Sequence, residues 1–153
     1  MRRIFALLLC FTIGCSIISE KSSSEEENYN LPELEQNDDS VHKLLKLHNT
    51  QRELKGRVGF TLDSGLCEYA QKHAEWMAKH HSMTHSNISV LVNRYGFVAE
   101  NIAWNQRTEE EVVNAWMNSE GHRINIMNRN YTKIGFGIVI KNNEIWWCTN
   151  FGS

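Results

Sequence analysis

Two histidines separated along the chain, His85 and His122, have acids close at hand: Glu100 in Ala99-Glu100-Asn101-Ile102, and Glu120 two residues before His122. Neutral imidazole nitrogens suit zinc, and a neighbouring carboxylate can orient a ring or a bound water. If these residues converge from separate elements, they form a divalent-metal cleft with His85 and His122 as metal ligands and Glu100 and Glu120 as its acidic groups. His81 and His85, four apart, are another candidate pair. That pair needs one continuous helix through the polar run Ser82 to Ser86.

Turnover asks for more than these residues offer. A catalytic zinc has three protein ligands and an open position, whereas only two imidazoles stand out here. Nucleophilic hydrolysis needs a base within reach of the nucleophile and a third group to orient that base. Ser86 adjoins His85, but sequence neighbours on a loop rarely aim at each other, and no GxSxG turn occurs. The residues therefore favour a binding module over an enzyme. A metal-dependent or Ser/His hydrolase is the alternative, and a structural surface protein with a vestigial cleft is a third reading.

The elements that would position these groups are legible by period. SVHKLLKLHNTQREL carries Val41, Leu44, Leu45 and His48 at helical spacing, with Asp39 or Ser40 as N-cap. A second helix, capped by Asp63 or Ser64 and running to about His81, spaces Leu66, Ala70, Ala74 and Met77 four, four and three apart. SMTHSNIS reads as loop, VLVNRYG as a short helix, and FVAENIAWN as irregular or strand-like. Thr108-Glu109-Glu110-Glu111 is a capping box that opens a helix with Val112, Val113 and Trp116 inward. Gly121 is expected to break that helix, since Gly costs about 1 kcal/mol in a helix interior. YTKIGFGIVI and EIWWCTNFG are strands joined by Lys141-Asn142-Asn143, with Asn where positive φ is tolerated. One strand face carries Ile134, Phe136, Ile138 and Ile140. The other carries Gly135, Gly137 and Val139, which predicts close approach of another backbone. Helices first and strands last, with both strand faces apolar, give the α+β class.

Before residue 40 the character changes. Arg2-Arg3 and the ten-residue apolar run Ile4 to Ile13 have the layout of a secretory signal and are too short to span a bilayer. Gly14-Cys15 at its end resembles a bacterial lipobox, with Thr12 in place of the usual leucine. The expectation is a signal peptide over 1–14 and a lipid on Cys15 that anchors the chain to a membrane; ordinary cleavage nearby is the alternative. From Glu20 to Asp39 there are eight acids and one lysine, so 15–39 reads as a disordered acidic tether to a domain over 40–153. That domain holds 13 Lys/Arg and 10 Asp/Glu, a net of +3 with no basic stripe, and no nucleic-acid partner is expected. Cys67 and Cys148 remain as a permitted disulfide or as two buried thiols. Asn87-Ile88-Ser89 matches a glycosylation acceptor by pattern, discounted because a lipobox implies a bacterium.

Taken in order, HNTQR (48–52), the alanine-rich helix leading to His85-Ser86, Ala99-Glu100-Asn101-Ile102-Ala103, Trp116 to Ile126 (WMNSEGHRINI), IGFGI and Phe151-Gly152 resemble the CAP superfamily, the cysteine-rich secretory, antigen 5 and pathogenesis-related proteins, in the short SCP-like bacterial form. The match covers nearly all of residues 41–153. The resemblance implies an α-β-α sandwich with a small, mostly antiparallel sheet between helices, and a cleft of two histidines and two glutamates that can hold zinc. His85, Glu100 and His122 match three of those positions. The family's second glutamate falls at Ser119, with Glu120 one residue later and so about 100° further around a helix. Ala99 replaces the family's usual glycine. His48, Asn49 and Arg52 belong to the first-helix motif and read as structural. The family's lipid binding suggests a groove role for some of Trp76, Trp104, Trp116, Trp146 and Trp147, although Trp116 and one of Trp146 or Trp147 are more simply core. The implied protein is a lipoprotein displayed at the bacterial outer membrane, or else periplasmic or secreted, meeting a host or extracellular protein or a lipid ligand.

Overall fold

The computed structural model describes residues 31–153, with side chains from Asp38 onward. The signal segment, Cys15 and the expected tether as far as residue 30 lie outside the described residues. The first helix, α1, spans Leu31–Glu53 and so begins nine residues before Ser40. Residues 31–39, expected in the tether, instead continue the helix. Pro32 does not prevent this, because in a first turn its missing N–H has no intrahelical acceptor to meet.

The order that follows is β1 (Thr61–Leu62), α2 (Ser64–His80), a 3₁₀ turn (Ile88–Leu91) running into α3 (Val92–Tyr95), β2 (Val98–Trp104), α4 (Glu109–Asn118), α5 (Glu120–Met127), β3 (Lys133–Lys141) and β4 (Glu144–Gly152). Four strands form one sheet in the order β1-β3-β4-β2, antiparallel except for the short β1–β3 pair. The β3–β4 hairpin turns through Asn142 and Asn143, both at positive φ (52° and 61°). That is the backbone of a two-residue hairpin turn, for which asparagine is suited.

Two helical layers cover the sheet. The buried residues of α2 are Leu66, Ala70, Ala74, Met77 and Ala78, and Asp63 is the cap, accepting the Leu66 N–H at 3.0 Å. This helix lies on the glycine face of β3. A Cβ on Gly135 would overlap the backbone of Leu66 and Cys67, and one on Gly137 that of Ala70 and Gln71. The approach expected from the glycine pattern is therefore that of α2. On the opposite face α1, α4 and α5 pack Leu44, Val112, Val113, Trp116 and Ile126 against Ile134, Phe136, Trp147 and Phe151. Helix, sheet and helix make the α-β-α sandwich. Trp146 and Trp147 are both buried, on opposite faces. Cys67 and Cys148 are free thiols.

The first-helix motif is structural. His48 is fully buried among Trp116, Phe136 and Phe151, with Nδ1 donating to the Leu44 carbonyl at 2.8 Å. Asn49 brackets the Phe60 backbone, donating to its carbonyl at 3.0 Å and accepting its N–H at 2.6 Å. Burial lowers the His48 pKa from 6.5 to about 4. A ring that stays neutral in the folded state yet protonates in the unfolded chain stabilises the fold fully above pH 6.5, and that contribution drains away as pH falls toward 4. At about 1.4 kcal/mol per unit the loss approaches about 3 kcal/mol. Urea unfolding at pH 7 and pH 5 should show about 2 kcal/mol of this loss, and His48→Phe should reduce the difference.

Candidate functional site

The break before His122 is not where the glycine suggested. Helix α4 ends at Asn118, and Ser119 turns the chain with an extended backbone (φ −96°, ψ 123°) that any residue can adopt. Gly121 sits inside the first turn of α5, with nothing within 4 Å of a Cβ placed on it. His122 is thus the third residue of a new helix, redirected by Ser119.

Helices α4 and α5 are held against β2, an outer strand of the sheet, by side chains that satisfy its free carbonyls. Trp116 Nε1 donates to the Ile102 carbonyl at 3.1 Å, Asn125 Nδ2 to that of Glu100 at 3.4 Å, and the Tyr131 hydroxyl to that of Val98 at 3.4 Å. Asn101, next to Glu100, donates to the His122 carbonyl at 3.1 Å and accepts from Asn125 at 2.9 Å. His122 reaches the β2 edge from this layer. His85 reaches it from the other layer, in the segment between α2 and the 3₁₀ turn.

Glu100 holds the His85 side. Its side chain is 1% exposed and accepts the Ser86 hydroxyl at 2.5 Å, the Ser86 N–H at 2.9 Å, His85 Nδ1 at 2.9 Å and Asn150 Nδ2 at 3.3 Å. The Cys148 thiol lies 3.6 Å away and His73 Nε2 4.0 Å away. Burial would push this carboxyl up, but the Ser86 hydroxyl and N–H, then His85 and the charge of His73, hold it below its ordinary value. Burial and the Glu100 charge raise the Cys148 thiol, which stays a neutral donor. His122 is shifted down by burial first and then by the charge of His85.

Glu120 does not join them. It is exposed in the first turn of α5 and forms no ion pair among the described residues. Half-buried Ser119 holds the position before it. Among the described residues no group of three or more His, Cys, Asp or Glu side chains gathers as a metal cage. A divalent cation here would have at most the imidazoles of His85 and His122, with Glu100 orienting the first from behind.

His81 and His85 do not pair on one helix. His81 closes α2 in the left-handed conformation (φ 49°) and turns to Glu144, 3.2 Å away, and to the rings of Trp104 and Trp146. Trp76, 43% exposed, stacks between His73 and His80 on the surface of α2. Sequence reading passed over Ser86 as a carboxylate donor, and also Asn150, Cys148 and His73. Asn150 and Glu100 are 50 residues apart and meet only through the β2–β4 register. Asn101 and Asn125 did carry a signal, as members of the Ala99–Ala103 and Trp116–Ile126 motifs.

A family model described as cysteine-rich secretory protein family, CAP, matches residues 45–151. The Bacillus subtilis (strain 168) protein YkwD, described as uncharacterized, is 38% identical over 113 residues, covering 68% of this chain and 44% of that protein. The chain spans less than half the length of the curated relatives it matches. Among solved structures, an outer surface protein from Borrelia burgdorferi aligns with TM-score 0.70 at 21% identity, covering 76% of this chain and 94% of the other. An extracellular protein containing an SCP domain from Bacillus anthracis aligns with TM-score 0.68 at 22% identity, covering 75% and 40%. At these identities the structures establish likeness of fold.

Proposed function

The chain belongs to the cysteine-rich secretory protein (CAP) family, and from that premise we propose that it is an exported, lipid-anchored bacterial binding module rather than an enzyme. Its cleft at the β2 edge holds a divalent cation through His85 and His122 and meets an extracellular protein, a host molecule or a lipid. The bacterial relatives, described as extracellular or outer surface proteins, support export and display. The signal-like start and Gly14-Cys15 support the anchor.

One observation carries the binding reading over hydrolysis. The Ser86 hydroxyl donates to Glu100 Oε2 at 2.5 Å, so the serine beside His85 serves to fix a carboxylate. A carboxyl held below its ordinary value is a poor base for activating that hydroxyl. His85 in turn points Nδ1 at Glu100 and not at Ser86. A bound cation would supply Lewis acidity at the cleft, with the chain's own residues holding the imidazoles in place.

The full chain tests this in one set of measurements. Zinc should raise the melting temperature of wild type, and His85→Ala with His122→Ala should abolish the rise, because a ligand selective for the native state stabilises it. Casein and generic esters should remain uncleaved with zinc present. Zinc-dependent cleavage lost in His122→Ala would sink the binding reading in favour of the hydrolase. No zinc response at all would point to a vestigial cleft. Cys15→Ala should move the protein from the membrane fraction to the soluble one; retention in the membrane would remove the lipid anchor from the proposal.

A further inference from the structure

Deepening the reading that His85 belongs to the binding cleft, we infer that Ser86 and His73 are positioning residues that set the tautomer and aim of the His85 ring, so that a ligand meets a lone pair on its Nε2. The chemical class of ligand follows: an electron-pair acceptor, meaning a divalent cation or a hydrogen-bond donor, and not an anion.

An ionised carboxylate only accepts hydrogen bonds. Around Glu100, the Ser86 N–H and the Asn150 amide can only donate, at 2.9 and 3.3 Å, and the Ser86 hydroxyl takes Oε2 at 2.5 Å. His85 Nδ1, 2.9 Å from Oε1, must therefore carry a proton. In the neutral ring that leaves Nε2 unprotonated, on a side chain 61% exposed beside a carboxylate 1% exposed. Ser86 supplies two of the bonds, one from the backbone directly after His85, so the carboxylate that receives the His85 Nδ1 proton is itself held in place.

His73 secures the other side of the loop by the same logic with opposite polarity. Its Nε2 lies 2.7 Å from the Thr84 carbonyl, which has no proton to give. The proton is on His73 Nε2, and the ring, 9% exposed, pins the residue directly before His85. The two imidazoles are thus in opposite tautomers, each fixed by an acceptor-only partner. Outer partners of this kind typically govern metal affinity 10- to 100-fold.

Two-bond proton–nitrogen correlation spectra of the ¹⁵N-histidine-labelled full chain at pH 8, without metal, read the tautomers directly. The expected result is a proton on Nδ1 of His85 and on Nε2 of His73. Ser86→Ala should mix the His85 tautomers and weaken zinc binding by roughly 10- to 100-fold, with Ser86→Thr restoring both. His73→Phe, which cannot reach Thr84, should act in the same direction. A wild-type His85 protonated on Nε2 overturns the inference, and that measurement does not depend on any variant folding. Inorganic phosphate shifting the His85 signals where zinc does not would overturn the ligand class. The stated tautomers without any zinc response would uphold the positioning and sink the metal reading of the cleft, so the two fail separately.

Discussion

Arg52→Met is expected to lower the stability of this protein by about 3–5 kcal/mol, although Arg52 touches no part of the cleft. Arg52 is 2% exposed, and its guanidinium donates to four carbonyls: Val58 at 2.6 Å, Ile126 at 2.8 Å, Asn128 at 2.9 Å and Tyr131 at 3.2 Å. It also lies over the Phe60 ring, 3.9 Å from the centroid. One side chain on α1 thereby ties together the segment after that helix, the end of α5 and the approach to β3. Methionine fills similar length but offers no donors, so buried carbonyls are left without partners, and each such orphan costs about 1–3 kcal/mol. The measurements are urea and thermal unfolding; on this scale the melting temperature should fall by roughly 10–20 °C. A change under about 1 kcal/mol would mean that water replaces the guanidinium at these carbonyls.

Gly137→Val is the second large effect, expected at about 3 kcal/mol or more, or as failure to yield soluble protein. The added Cβ would overlap Ala70 and Gln71 backbone atoms, which have no alternative rotamer to move into. Relief requires α2 to lift from the sheet, and with it Ala70, Ala74 and Met77, which make the core on that face with Ile102, Trp146 and Cys148. Gly121→Ala is the internal control. Nothing lies within 4 Å of a Cβ there and the residue is helical, so the change should stabilise by about 0.4–1 kcal/mol. Destabilisation by Gly121→Ala would reinstate the sequence reading that a glycine is required at that break.

The two glycines show how far local pattern reaches. Gly135 and Gly137 alternate with large apolar residues in a strand period, so their meaning was a close approach from one side, and α2 makes it. Gly121 had a helix before it and no strand to interpret it, so its type suggested a stop. The turn is instead made by Ser119, whose extended backbone has no compositional mark. Helix α1 shows the same limit at its other end: acidic residues ahead of Ser40 read as tether, while the backbone continues the helix back to Leu31.

By itself the sequence determined the class of fold, the positions of α2, α4 and the β3–β4 hairpin, and the family, and it named His85, Glu100 and His122 as candidates. These follow from hydrophobic period, capping chemistry and short motifs, all of which act within a few residues along the chain. Only the tertiary structure decided that Glu120 is exposed in the first turn of α5, that Ser86 clamps Glu100, and that Asn150 and Cys148 stand behind it. Those facts depend on strand register and on the rotation of α5 after Ser119. A shift of one residue in either would reverse them, because adjacent side chains point to opposite faces of a strand and lie about 100° apart on a helix.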